Sequence, residues 1–161
     1  MNAIDLLKEQ HEEVRGLFEQ LEEAEDDDER ESLFQELADN LAAHSIIEEK
    51  IFYPAAYAQK TKELLTEAVE EHLAIKRILA DLLEMLPEHD NFDAKIKVLK
   101  EQVEHHVEEE EGELFAAARK ELGAETLNKL GEEMKQLFDD AMEGEPSEAV
   151  PSQTDEAAPL R

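Results

Sequence analysis

The chain is built around His44-Ser45-Ile46-Ile47-Glu48-Glu49-Lys50-Ile51-Phe52-Tyr53-Pro54. On an α-helix His44 and Glu48 lie one turn apart, offset by about 40° and roughly 6 Å along the axis, so one cation can reach both. The same face carries Leu41, Ile47, Ile51, Phe52 and Ala55. A histidine and a carboxylate therefore point into an apolar interior, where the carboxylate needs a metal or a charged partner.

The stretch recurs 62 residues later as His106-Val107-Glu108-Glu109-Glu110-Glu111-Gly112-Glu113-Leu114-Phe115. His106 matches His44, Glu110 matches Glu48, Glu111 matches Glu49, and Leu114-Phe115 matches Phe52-Tyr53. A second echo has an offset of 61: Glu9-Gln10-His11 lines up with Glu70-Glu71-His72, Val14 with Ile75, Arg15 with Lys76 and Phe18 with Leu79. Each half thus carries one histidine and then a His-x-x-x-Glu.

Apolar spacing of three and four places these motifs on helices. The first is predicted from Ala3 to about Ala24, with Ile4, Leu7, His11, Val14, Phe18 and Leu21 inward. The acidic run Glu25 to Glu31 is a turn. A second helix follows from about Glu29 to Tyr57, capped by Ser32 or an Asp before it and kinked or stopped at Pro54. A third runs from about Lys60 to Leu86, ended by Pro87, and a fourth from about Phe92 to Glu121, stopped near Gly123. No segment alternates with period two. Short loops make neighbours antiparallel, and two hairpins bury their stripes by packing as an up-down four-helix bundle. The fold class is therefore all-α. The bundle occupies residues 1–122, an additional helix 123–143 packs on it, and 144–161, rich in Pro, Ser, Ala and Glu, is expected to be disordered.

One domain of 161 residues can bury a sizeable core. A formal charge of −28 opposes nucleic acid and anionic membrane surfaces as partners. The absence of cysteine excludes disulfides, thiolate metal sites and thiol catalysis. The start lacks the apolar core of a signal peptide, and no apolar run approaches about 18 residues, so cytoplasm is the expected compartment.

The bundle brings His11, His44, His72 and His106 to one level with Glu48 and Glu110. Six such groups suit two first-row metal ions, because imidazole and bridging carboxylate together favour a pair. One zinc needs only three or four of them. The Glu-x-x-His mark of ferritin-like bundles is absent. The zinc-protease pattern also fails, since Arg15 stands where His11-Glu12 needs its second histidine.

The order His … His-x-x-x-Glu … His … His-x-x-x-Glu resembles the hemerythrin-like (HHE) domains of bacteria over about residues 1–120. That resemblance implies two non-haem iron ions with an oxo or hydroxo bridge. His11 and His44 would serve one, His72 and His106 the other, and Glu48 and Glu110 would bridge. It also implies a small oxidant as ligand (oxygen, nitric oxide or peroxide), in sensing or stress defence. Oxidase or peroxide- or nitric-oxide-reducing turnover is compatible with such a centre. Iron storage, donation or sensing is the alternative, or an interaction module around a structural di-iron site. Oxygen carriers place another histidine where Lys76 stands, and usually an aspartate five residues after the last histidine, where this chain has Glu110 at four. Reversible oxygen carriage is therefore not expected.

Other residues are read as follows. His105 lies about 100° off the ligand face. His89 falls in a loop. Arg15 and Lys76 lie at the edge of the ligand face and are expected to cover the core with their stems and leave their charges in solvent, with support or gating of the site as the alternative. Glu113 stands where Ile51 stands in the first half, as an outer acceptor or spare ligand. Tyr53 and Tyr57 are expected to be packing residues beyond the ligand level.

Overall fold

The computed structural model describes residues 1–160. Helix α1 (Ala3–Glu23) is capped by the Asn2 side chain, which accepts the Asp5 N–H at 2.9 Å. Helix α2 (Asp27–Ile47) is capped by Asp26, which accepts the Glu29 N–H, so the cap falls before the predicted start. It runs on through a π-helical turn (Glu48–Phe52) and a last α-turn (Tyr53–Ala56). Helix α3 (Lys62–Leu83) follows, then α4 (Phe92–Glu109) with its own π-turn (Glu110–Leu114), then α5 (Phe115–Met142). No strand occurs among the described residues. The helices form an antiparallel four-helix bundle in which α1 packs along α2 and α3 along α4.

The predicted apolar stripes are the ones buried. Two clusters divide the core. One gathers Val14, Phe18, Leu37, Leu79, Phe92 and Leu99 around one half of the bundle. The other gathers Ile4, Leu7, Ile47, Phe52, Leu65 and Phe115 around the other half.

The two π-turns begin at Glu48 and Glu110. Tyr53 N–H bonds the Glu48 carbonyl and Phe115 N–H the Glu110 carbonyl, each five residues back. The extra residue rotates the side chain at i+5 toward the face that i+4 occupies in an α-helix. Such turns recur at functional sites. Pro54 lies just after the first of them, and its missing N–H suits a place where the α-ladder is already interrupted.

Helix α5 continues from the fourth bundle helix but breaks at Gly123, which adopts φ 77° and ψ 166°, a backbone conformation that glycine enters without penalty. Beyond it the chain turns onto the N-terminus. A Cβ on Gly131 would lie 2.1 Å from the Met1 carbonyl oxygen, so the helix touches that backbone directly. Gly131→Ala is expected to lower stability by about 1–3 kcal/mol through overpacking, read as a lower urea midpoint. An unchanged midpoint would show the contact to be dispensable.

The expectation of disorder over 144–161 is corrected for residues 145–160 by their packing; Arg161 lies outside the described residues. Pro146–Gln153 forms a 3-10 helix with Val150 buried in the first cluster. Ser147 N–H donates to Asp39 at 3.1 Å, Gln35 donates to the Ser147 hydroxyl, and Arg77 donates to the Thr154 carbonyl. Composition reports average polarity, but one valine and a few backbone bonds suffice to dock this segment. No helix among the described residues is long and apolar enough to cross a membrane.

Candidate metal centre

The six residues singled out in the sequence meet in one layer between the two apolar clusters. His11, His44, Glu48, His72, His106 and Glu110 are all buried, Glu48 completely. Donor atoms of His11, His44, Glu48 and Glu110 lie within 4.8 Å of one another, as do those of Glu48, His72 and His106. Glu48 belongs to both groups. Its Oε1 is 3.2 Å from His44 Nε2 and 3.0 Å from His72 Nε2. Glu110 Oε1 is 3.1 Å from His11 Nε2, and its Oε2 is 3.4 Å from His106 Nε2.

Each imidazole is held from behind. Nδ1–H of His11 donates to Glu111 (2.6 Å), of His44 to Gln10 (2.7 Å), of His72 to Glu49 (2.7 Å) and of His106 to Glu71 (2.7 Å). A proton fixed on Nδ1 leaves the Nε2 lone pair facing the centre, the tautomer a metal requires. Adjacent ligands about 2.1 Å from one cation stand about 3 Å apart, which is the spacing of these donors. His44 Nε2 and Glu48 Oε2 are buried with no hydrogen-bond partner among the described residues. Orphaned donors aimed inward from a converging set fit a bound cation.

Residues 2–118 match the hemerythrin HHE cation-binding domain. The chain belongs to that family. A crystal structure of an HHE cation-binding domain-containing protein from Mycobacterium kansasii has a TM-score of 0.80 with this HHE domain at 29% identity, covering 89% of this chain and 88% of that one. It is a homolog of the uncharacterized protein Rv2633c of Mycobacterium tuberculosis, which is 31% identical over 118 residues, 73% of this chain and 72% of its own. A DNA nickase of Nostoc sp. is 29% identical over 135 residues. That match covers 84% of this chain, which spans 38% of the nickase.

The HHE centre contains a residue that the helical register missed. Tyr53, expected to lie beyond the ligand level, is fully buried with its hydroxyl inside the site. The hydroxyl donates to Glu110 Oε2 at 2.5 Å and lies 3.2 and 3.4 Å from Nε2 of His72 and His106. Burial, with Glu110 and Glu48 nearby, pushes its pKa well above the usual 10, so it stays a proton donor. The π-turn brings it there. Its counterpart in the second half, Phe115, lies parallel to the His11 ring at 6.1 Å.

Lys76 is the second correction. Its ammonium is buried against Glu49 at 2.9 Å, the same carboxylate that accepts from His72, instead of reaching solvent. Arg15 behaves as expected, exposed and paired with Glu12. The outer-acceptor role considered for Glu113 falls to Glu111, while Glu113 itself is exposed. His105 faces outward, 59% exposed, between Glu71 and Glu109. The outer acceptors Gln10, Glu49, Glu71 and Glu111 each sit one residue beside a ligand candidate in the sequence. That adjacency was the available signal.

The electrostatics follow from the same contacts. Burial lowers the histidine pKa values, but the carboxylates more than reverse it: Glu110 for His11, Glu48 and Glu49 for His72, and Glu110 with Glu48 and Glu71 for His106. Burial raises Glu48, yet the imidazoles around it, His44 first and then His106 and His72, hold it well below the carboxylate range. Burial and Glu48 raise Glu110, while His106 and His11 bring it down.

Proposed function

We propose that this protein is a non-haem di-iron protein that binds or reduces a small oxidant (oxygen, nitric oxide or peroxide) in sensing or in oxidative or nitrosative defence. His11 and His44 hold one iron and His72 and His106 the other, with Glu48 and Glu110 between them. Bound there, the pair supplies electrons and open coordination positions to a small molecule.

The observation that carries the reading is an apolar cavity against the imidazoles. It measures about 30 Å³ and is walled by the four histidines with Val14, Leu41, Ile75 and Val103. A space of that size accepts a molecule of two or three atoms. Its aliphatic walls suit an uncharged small molecule better than a stored cation. On the opposite side of the donors Tyr53 gives its proton to Glu110 and so orients that carboxylate, its oxygen 3.2 Å from His72 Nε2. The two apolar clusters exclude bulk water on either side. DNA nicking, named for the Nostoc relative, is not carried over, because a charge of −28 repels a phosphate backbone.

The test is anaerobic reconstitution with ferrous iron, followed by metal analysis and optical spectra before and after nitric oxide. We expect two irons per chain and a spectrum that responds to nitric oxide. One iron or none defeats the di-iron reading. Two irons indifferent to nitric oxide, oxygen and peroxide favour the storage alternative.

A further inference from the structure

The duplication predicts two equal metal positions, and the inner donors are balanced. Glu48 reaches His44 and His72, and Glu110 reaches His11 and His106. The outer partners are not balanced. We propose that the two positions hold metal unequally, that the His11/His44 position is the exchangeable one, and that Gln10 sets most of the difference. This rests on the di-iron reading above.

The pseudo-twofold pairs every outer partner. Gln10 and Glu71 are equivalent at the offset of 61 residues, each next to a histidine on its own helix, and each accepts Nδ1–H from the histidine of the following helix. Glu49 and Glu111 are equivalent at the offset of 62, and each accepts Nδ1–H from the histidine of the other kind. Both imidazoles of the His72/His106 position therefore lean on carboxylates. At the other position one of the two leans on a neutral amide.

A carboxylate draws the Nδ1 proton toward itself and raises electron density at Nε2, which strengthens the bond to a cation. An amide oxygen does this far less. The remaining pair differs in the same direction. Glu49 is 13% exposed and pinned by Lys76, whereas Glu111 is 35% exposed, so water screens and loosens its grip on His11. Arg15, the counterpart of Lys76, points out to Glu12 and pins nothing in the site.

The wider approach lies on the same side; the recess that reaches His106, past Glu71 and Glu109, measures only about 10 Å³. A surface cavity of about 280 Å³, lined by Arg15, Phe18, Lys100, Glu104 and Glu108, ends against His11 and includes none of the other three histidines. A chelator or an exchanging ion meets the His11/His44 position first.

The experiment is anaerobic release of ferrous iron to a chromogenic chelator from protein first shown to hold two irons. Loading below two overturns the di-iron reading; the release kinetics then judge the inequality separately. We expect two phases of equal amplitude, with rates at least about tenfold apart, the lower end of what an outer partner contributes. Gln10→Glu should slow the fast phase about tenfold and leave the slow phase alone. Glu71→Gln should speed the slow phase and leave the fast phase alone. A single phase in the unmodified protein overturns the proposal. So does Gln10→Glu acting on the slow phase, or on neither. If the added buried charge of Gln10→Glu prevents folding, Glu71→Gln decides alone, since it removes charge.

Discussion

Glu48→Gln is expected to leave the centre with at most one ion and the helices standing. Glu48 is the one carboxylate common to both groups of donors, with Oε1 at 3.2 Å from His44 Nε2 and 3.0 Å from His72 Nε2. The amide keeps the volume, so the surrounding apolar clusters lose no contact. It removes a full negative charge between two cations and can turn an N–H toward lone pairs that should face metal. Loss of an outer partner lowers metal affinity by about 10–100-fold. Loss of a shared inner ligand should exceed about 100-fold and reduce content from two ions to at most one. Metal analysis with far-ultraviolet circular dichroism reads both halves of this. His105→Ala is the control: His105 is 59% exposed and bonds Glu71 and Glu109 outside the centre, so content should stay at two. A Glu48→Gln protein that retains two ions would sink the assignment of Glu48 as the bridge.

The fold and the convergence of six buried histidines and glutamates were legible because one periodicity served both. The apolar stripe and the ligand face are the same face of each helix, and the repeat supplied an independent check on its register. His106, not His105, followed from that check, and the structure buries the first and exposes the second. Tyr53 was not legible because the α-helical period fails there. The i→i+5 bond at Glu48 adds a residue to the turn, and a side chain placed beyond the ligand level comes into the site. A π-turn has no mark in composition; the trace available was Pro54 directly after it.

Lys76 failed for a different reason. A lysine on a helix edge ordinarily leaves its ammonium in water, and sequence cannot show that Glu49 on a neighbouring helix meets it inside. The outer acceptors were hidden by abundance. With 44 acidic residues in the chain, the three that clasp imidazoles look like any others until the helices are packed. The docked tail was hidden by the converse, a segment whose average is polar but whose Val150 is apolar and buried.

The metal-free protein should lose stability as pH rises from about 6 to 8.5, and metal should abolish that loss. The sign follows from which form each group keeps in the fold. His11, His72 and His106 have pKa values raised above their ordinary 6.5. Their contribution is fully present below 6.5 and disappears as pH climbs through the raised values. Glu48 and Glu110 are lowered from 4.5, so theirs is present above 4.5 and disappears as pH falls through the lowered values. The metal-free fold is therefore most stable between these limits, where imidazolium and carboxylate compensate each other in the core. Above it, each proton held by the native state and released by the unfolded chain tilts stability down by about 1.4 kcal/mol per pH unit. The buried carboxylates are then left facing neutral imidazoles, an uncompensated charge in an apolar layer. Metal reverses the sign, since it binds neutral imidazole and displaces those protons, so its grip strengthens with pH. Repulsion among the surface charges of a −28 chain acts on both forms alike and drops out of the difference. The measurement is urea unfolding at pH 5.5, 7 and 8.5, with chelator and with ferrous iron under anaerobic conditions. The gap between the two should widen steadily with pH. A metal-free protein equally stable at pH 5.5 and 8.5 would mean that its imidazoles are neutral throughout, held by their outer partners alone.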